Sequence, residues 1–263
     1  MTGFVASKDG TRIAYDKVGS GPTLVIVNGA MGFRGNAFAK KFQAEFAKHF
    51  TVVDYDRRGR GESGDTAPYS VKKEVEDLAA IVAGPGGGKP LVFAQSSGAA
   101  LALEAAASGV PMRTLFAYEP PYMVGDPPDR PAPDFKEHLE GLVSRGERDE
   151  AVKYFMRTVG VPGFILAVMR LFPFWKDLRS VAHTLPYDAA VMAGFDFPTK
   201  RLATLKVPVV AVAGEKTTPT LKRSVDEVAR TVPGAKRLES PKMNHAVNAK
   251  RMAPLLRSWV DAG

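Results

Sequence analysis

What most constrains this chain is a rhythm. Short unbroken apolar runs, Leu24–Val27, Leu91–Ala94, Thr114–Tyr118 and Val207–Ala213, alternate with segments of helical pattern. A short continuous apolar run reads as a strand buried on both faces, as strands of a parallel sheet are. Thr51–Tyr55 and Lys236–Glu239 read as two further strands. The helical segments are Phe38–Phe50, where Phe38, Phe42, Phe46 and Phe50 recur every fourth residue, then Val71–Val82, the small-residue stretch Ser97–Ala107, Leu221–Val232 and Ala246–Ala262. Ahead of them, Phe4–Ser7 and Arg12–Val18 flank Asp9-Gly10, the pattern of a β-hairpin. This alternation predicts an α/β fold, a mostly parallel doubly wound sheet covered on both faces. Functional groups in such a sheet collect in loops at the carboxyl ends of its strands.

One stretch breaks the rhythm. Pro120, Pro121, Pro127, Pro128, Pro131 and Pro133 crowd into fourteen residues. Such a run is a connection rather than an element. Residues 134–205 then carry helical patterns broken at Gly146, Pro162, Pro173 and Pro186, with no strand. The expected organisation is a core of residues 1–120 and 206–263, with a helical cap of residues 121–205 inserted after the strand that ends at Glu119. No segment has the length or apolarity of a signal peptide or a membrane span, so the expectation is a soluble, cytoplasmic protein with no membrane partner.

The formal charge is +8, which raises the question of nucleic acid. Residues 201–263 hold 12 basic and 5 acidic side chains, so nearly all the excess is C-terminal. It is spread over predicted helices and loops, without interleaved aromatics or a recognised module. It reads as a solvated face, and no nucleic-acid partner is expected.

The chain has no cysteine, which removes disulfides, thiolate metal sites and a thiol nucleophile together. Its four histidines are His49, His138, His183 and His245. Gly59-Arg-Gly-Glu-Ser-Gly64 matches a dinucleotide fingerprint, but no helix opens at these glycines. Gly84–Lys89 resembles a phosphate loop, yet Pro90 follows the lysine and a strand comes next, so it reads as a turn. No spacing of His and carboxylates suits a metal, and no cofactor is expected.

One motif sits in the right context. Leu91-Val-Phe-Ala-Gln-Ser-Ser-Gly98 places Ser96 between a buried strand and a small-residue helix. A nucleophile elbow needs that arrangement, because a sharp turn lifts the hydroxyl above the sheet and only small neighbours fit around it. Ala94 takes the first glycine position of the G-x-S-x-G pattern. The register selects Ser96 over Ser97, although a serine opening a helix is also an ordinary N-cap.

With Val25–Met31, Asp54–Ser63, Val207–Glu215 and Lys242–Ala246, this elbow gives the chain its resemblance. It resembles α/β-hydrolase fold enzymes of the small capped type, over essentially everything but the cap. The resemblance implies roles for particular residues. Ser96 is the nucleophile, and His245, the histidine between the last strand and the last helix, is the base. The backbone amides of Ala30 and Ser97 form an oxyanion hole. Asn28 stands where the family has histidine, and its amide can support the same loop. The usual acid position, two residues beyond Glu215, is Thr217, which cannot ionise. Glu119, at the end of its strand, is the favoured acid; Glu215, or no direct acid, are the alternatives. Asn28, Met31, Phe33 and Gln95 are expected around the substrate pocket, beneath an apolar cap. The implied function is hydrolysis of a small to medium lipophilic ester or lactone through an acyl-enzyme, by a monomer or homodimer. The gap at Thr217 leaves open a ligand-sensing protein with a weakened triad, or a lyase, cyclase or perhydrolase on the same fold.

Overall fold

The computed structural model describes residues 2–262. Eight strands form one sheet: β1 (Thr2–Ala6), β2 (Arg12–Gly19), β3 (Thr23–Val27), β4 (Thr51–Tyr55), β5 (Leu91–Gln95), β6 (Thr114–Tyr118), β7 (Val209–Gly214) and β8 (Lys236–Ser240). Their order is β1-β2-β4-β3-β5-β6-β7-β8. The β1–β2 and β2–β4 pairs are antiparallel and all the others are parallel. The predicted hairpin is present, with Gly10 at a positive φ in its turn and Asp9 Oδ1 accepting from the Thr11 amide.

The core helices are α1 (Ala37–Phe46), α2 (Val71–Ala83), α3 (Ser97–Ala107), α10 (Pro219–Thr231) and α11 (Ala249–Ala262). Alternate residues of each central strand face opposite layers. Val25, Val27, Val92, Ala94, Leu115 and Ala117 pack with α2, α3 and α10. Leu24, Ile26, Leu91, Phe93 and Phe116 pack with α1 and α11. Side-chain oxygens start three of these helices: Asn36 for α1, Ser70 for α2 and Thr218 for α10, each accepting from an amide of the first turn.

Between β6 and β7 lie α4 (Phe135–Ser144), α5 (Arg148–Thr158), α6 (Gly163–Met169), α7 (Phe174–Ser180), α8 (Leu185–Val191) and α9 (Thr199–Leu202), with two short 3-10 turns. No named strand occurs there among the described residues; Met123 and Asp196 make one isolated bridge. The apolar centre of this segment includes Phe135, Leu139, Phe155, Trp175 and Leu185.

Some expected boundaries move. Helix α1 ends at Phe46, and Phe50 is buried beyond it in the turn into β4. Phe38 is 71% exposed. Four-residue spacing drifts around a 3.6-residue helix, so four aromatics cannot all face one layer. Pro186 does not break a helix; it lies in the first turn of α8, where its missing N–H is harmless. Strand β7 begins at Val209, after Pro208. Helix α11 begins at Ala249 rather than Ala246, because the preceding residues form the loop that carries His245. Both glycine-rich segments are turns. In the first, a Cβ on Gly61 would lie 2.2 Å from Asp56 Oδ2, and that carboxylate accepts from the Arg34 and Glu62 amides.

Candidate active site

Strands β3 and β5 are neighbours, and the chain leaves them toward opposite faces. Their carboxyl ends therefore open the crevice where such sheets bind ligands. Ser96 stands there, after β5 and ahead of α3, with φ 55° and ψ −127°. A non-glycine residue in that conformation is strained and held only by its surroundings. What holds it is visible: the Ser96 amide donates to Tyr118 O at 2.9 Å. Gly98 lets α3 press against β3, since a Cβ there would meet Val27 O at 2.4 Å and Asn28 O at 2.6 Å.

The His245 imidazole lies between Ser96 and Glu119. Its Nε2 is 3.2 Å from Ser96 Oγ and its Nδ1 is 2.7 Å from Glu119 Oε2. The imidazole is part-exposed while Glu119 is fully buried. Glu119 follows β6 at φ 46°, and both its oxygens are occupied. Oε1 accepts from the Gly214 amide at 2.7 Å, and Oε2 accepts from Thr217 Oγ1 at 3.0 Å besides facing the imidazole. Glu215 does not reach His245; its carboxylate accepts from the Lys242 amide at 2.7 Å, on the loop leading to it. Gln95 Nε2 and Tyr118 Oη donate to the His245 and Asn244 carbonyls, fixing that loop from below.

Residues 28–33 cross over Ser96, and a Cβ on Gly29 would lie 3.1 Å from Ser96 Cβ. The Ser97 amide opens α3, in the first turn, where N–H groups have no acceptor within their own helix. Asn28 turns its amide away from the crevice: Nδ2 donates to Asp54 Oδ1 at 2.9 Å. Among the residues expected around the pocket, Asn28 thus supports the loop from behind. Burial, aided by the negative charge of Asp56 and opposed by the Asn28 bond, pushes the Asp54 carboxyl up to about 7. Met31, at φ 59°, is buried in the apolar centre of the helical segment, with Ala30, Phe33 and Met123 packed at its edge.

The remaining histidines lie apart from this group. His49 follows α1, and the His138 ring packs tilted against Tyr154, with centroids 4.2 Å apart. His183 is held below its ordinary value by burial and by nearby Arg148. Among the described residues no cluster of His and carboxylates is placed to hold a metal, and no helix is long and apolar enough to cross a membrane. Two contributors escaped sequence reasoning. Thr217 supplies a hydroxyl to Glu119, and Asp188 of α8 meets Arg57, Arg60 and Ser97 beside the elbow. The cluster of arginines in residues 57–60 was the available signal; nothing in the sequence around Asp188 marks it.

An elbow serine above a doubly wound sheet, with an imidazole on the loop after the last strand, places the molecule in the α/β-hydrolase class. Residues 24–255 match the model of the Alpha/beta hydrolase family, and the chain belongs to that family. An alpha/beta hydrolase from Sphaerobacter thermophilus is 43% identical, with a TM-score of 0.90, covering 98% of this chain and 100% of that one. A thermophilic esterase from Thermogutta terrifontis is 20% identical, with a TM-score of 0.69, covering 100% of this chain and 98% of that one. A bromoperoxidase from Bacillus anthracis is 17% identical, with a TM-score of 0.70, covering 98% and 100%. The last two likenesses are of fold alone.

Proposed function

We propose that this chain is a serine hydrolase that cleaves small to medium lipophilic esters or lactones through an acyl-enzyme on Ser96. The observation that carries the reading is the continuous Ser96–His245–Glu119 hydrogen-bonded chain. In the mechanism, His245 Nε2 removes the Ser96 proton as Oγ attacks the ester carbonyl. Glu119 keeps the proton on Nδ1 and balances the imidazolium. The Ala30 and Ser97 amides donate to the oxyanion. Collapse breaks the bond to the alkoxide, which leaves with the proton from Nε2. Water then repeats the sequence on the acyl-enzyme, and Ser96 is restored. The helical segment of residues 121–205 acts as the cap, and the side chains around Met31 and Phe33 favour an apolar acyl group.

Glu119 Oε2, 2.7 Å from His245 Nδ1, supports this reading over a ligand-sensing protein with a weakened triad. The test is turnover of short- and medium-chain nitrophenyl esters with fluorophosphonate labelling. Labelling is expected at Ser96 and absent in Ser96→Ala. Glu119→Gln is expected to lower kcat by roughly 10³–10⁴-fold, the loss seen when the orienting carboxylate of a triad is neutralised. Turnover no greater than that of Ser96→Ala would falsify the reading and direct attention to non-hydrolytic chemistry in the same pocket.

A further inference from the structure

Two buried arginines and one buried aspartate join the helical segment to both loops beside Ser96. Arg57 and Arg60 lie on the turn after β4, and Asp188 lies on α8. Asp188 Oδ1 accepts from Arg57 Nη1 at 2.7 Å and from Ser97 Oγ at 2.7 Å; Oδ2 accepts from Arg60 Nη2 at 2.7 Å. Arg60 Nη1 donates to the Gly29 carbonyl at 2.7 Å and to the Gly32 carbonyl at 3.3 Å. Arg57 Nη1 reaches the Asn28 carbonyl and Ser97 Oγ, both at 3.3 Å.

We propose that Asp188 is a positioning residue that sets the spacing of the Ala30 and Ser97 amides, so that the seated helical segment completes the oxyanion hole. The catalytic part of the proposal rests on the serine-hydrolase reading above. Residues 28–32 have no regular structure, and their carbonyls are gripped by Arg60 and Arg57. The start of α3 is gripped through the Ser97 hydroxyl. The two grips meet at Arg57 Nη1, through two long contacts of 3.3 Å, and at Asp188, whose three bonds of 2.7 Å orient Arg57, Arg60 and the Ser97 hydroxyl together. Two guanidiniums side by side in a low-dielectric interior repel unless a carboxylate lies between them. Glu74 pairs with the far side of Arg57 and does not reach Arg60. Burial pushes the Asp188 carboxyl up, but the two guanidiniums and the Ser97 hydroxyl outweigh it and hold it below the ordinary value. It therefore stays ionised between them. A two-donor hole tolerates little misplacement, so a residue that touches no substrate still governs the rate.

Kinetics and hydrogen exchange on the full chain test this. In Asp188→Asn, amides of residues 28–32 and 97–100 are expected to exchange at least about tenfold faster, while peptides from β5, β6 and α4 keep wild-type rates. On nitrophenyl butyrate, kcat is expected to fall roughly 10–100-fold with KM within about twofold, as a loss confined to the transition state gives. A trifluoromethyl ketone inhibitor is expected to weaken by the same factor. Tyr187→Phe, on the same helix but contacting Asp65 instead, is expected to leave both readouts unchanged. Ser97→Ala keeps both amides and every ion pair and removes one hydroxyl from Asp188. It is expected to show a smaller fall in kcat and faster exchange at 28–32 and 97–100, and it decides the matter if Asp188→Asn does not fold. Unchanged exchange at both loops, or a raised KM with kcat and ketone affinity intact, overturns the proposal. Absence of ester turnover by the wild type sinks the serine-hydrolase reading separately, and the exchange result then still decides whether Asp188 holds the two loops together.

Discussion

Thr217 occupies the position where the resemblance leads one to expect a carboxylate, and its hydroxyl is bonded to Glu119, the carboxylate proposed for that role. Glu119, buried at the end of β6, gains one donor from Thr217 and one from the Gly214 amide. A hydrogen bond to a charged acceptor is worth about 1.5–3 kcal/mol, roughly twice a neutral one. Thr217→Val should therefore loosen the carboxylate and lower kcat about tenfold, with KM little changed. Thr217→Asp should lower activity too, because a second carboxylate beside Glu119 disfavours ionisation of both. In a Glu119→Gln background the same Asp should restore part of the lost kcat; no recovery there would mean that a carboxylate at 217 cannot reach the imidazole. Steady-state hydrolysis of one nitrophenyl ester by the wild type and these four variants checks all of this. Ser96 and Glu119 stand out in the sequence because each follows the end of a strand, and His245 because it is the histidine between the last strand and the last helix. The positive role of Thr217 does not, since its partner lies 98 residues away and no local pattern connects them.

Among the elements, the strand–serine–helix unit of β5 and α3 is the most tightly specified. Its boundaries in the structure are close to those the sequence suggests, because a buried apolar run meets a small-residue run with only Gln95 and Ser96 between. Gly98 explains why the residues must be small. An added Cβ would sit 2.4 Å from Val27 O and 2.6 Å from Asn28 O, and backbone oxygens cannot swing aside as a flexible side chain does. Gly98→Ala must push α3 away from β3, and the Ser97 amide moves with the helix. The expected loss is about 1–3 kcal/mol of stability in urea unfolding, with a fall in ester turnover. Wild-type stability in this variant would mean that α3 is not wedged against β3. Elsewhere the element edges depend on contacts that periodicity does not encode. Helix α1 stops at Phe46 although the aromatic spacing continues, and α11 starts late because the loop before it is committed to His245.

On the scale of the whole molecule, one end of the sheet is crowded with buried charge. Arg57, Arg58, Arg60, Glu74, Asp77 and Asp188 are all buried, and each has an ionic partner. The alternation of apolar runs foretold the layered sheet, but not this cluster, whose members come from the turn after β4, from α2 and from α8. Asp54 is the exception, since its described side-chain bond is to the neutral amide of Asn28. Its carboxyl is pushed up to about 7, by burial first and by neighbouring Asp56 second. An unfolded aspartate titrates near 3.9. The folded state therefore binds this proton more tightly, and the stability it contributes is full below about pH 4 and is lost as pH rises through about 7. Asp54→Asn resembles the protonated form and carries no such dependence. Comparing the two proteins cancels other groups that titrate in this range, including His183, whose lowered value acts in the opposite sense. Relative to Asp54→Asn, the wild type should lose on the order of 2 kcal/mol between pH 5 and pH 8, seen as a Tm gap that widens by roughly 5 °C. A gap that stays constant with pH would show that Asp54 is already ionised throughout and that the loop carrying Asn28 is held over a charged, not a neutral, carboxyl.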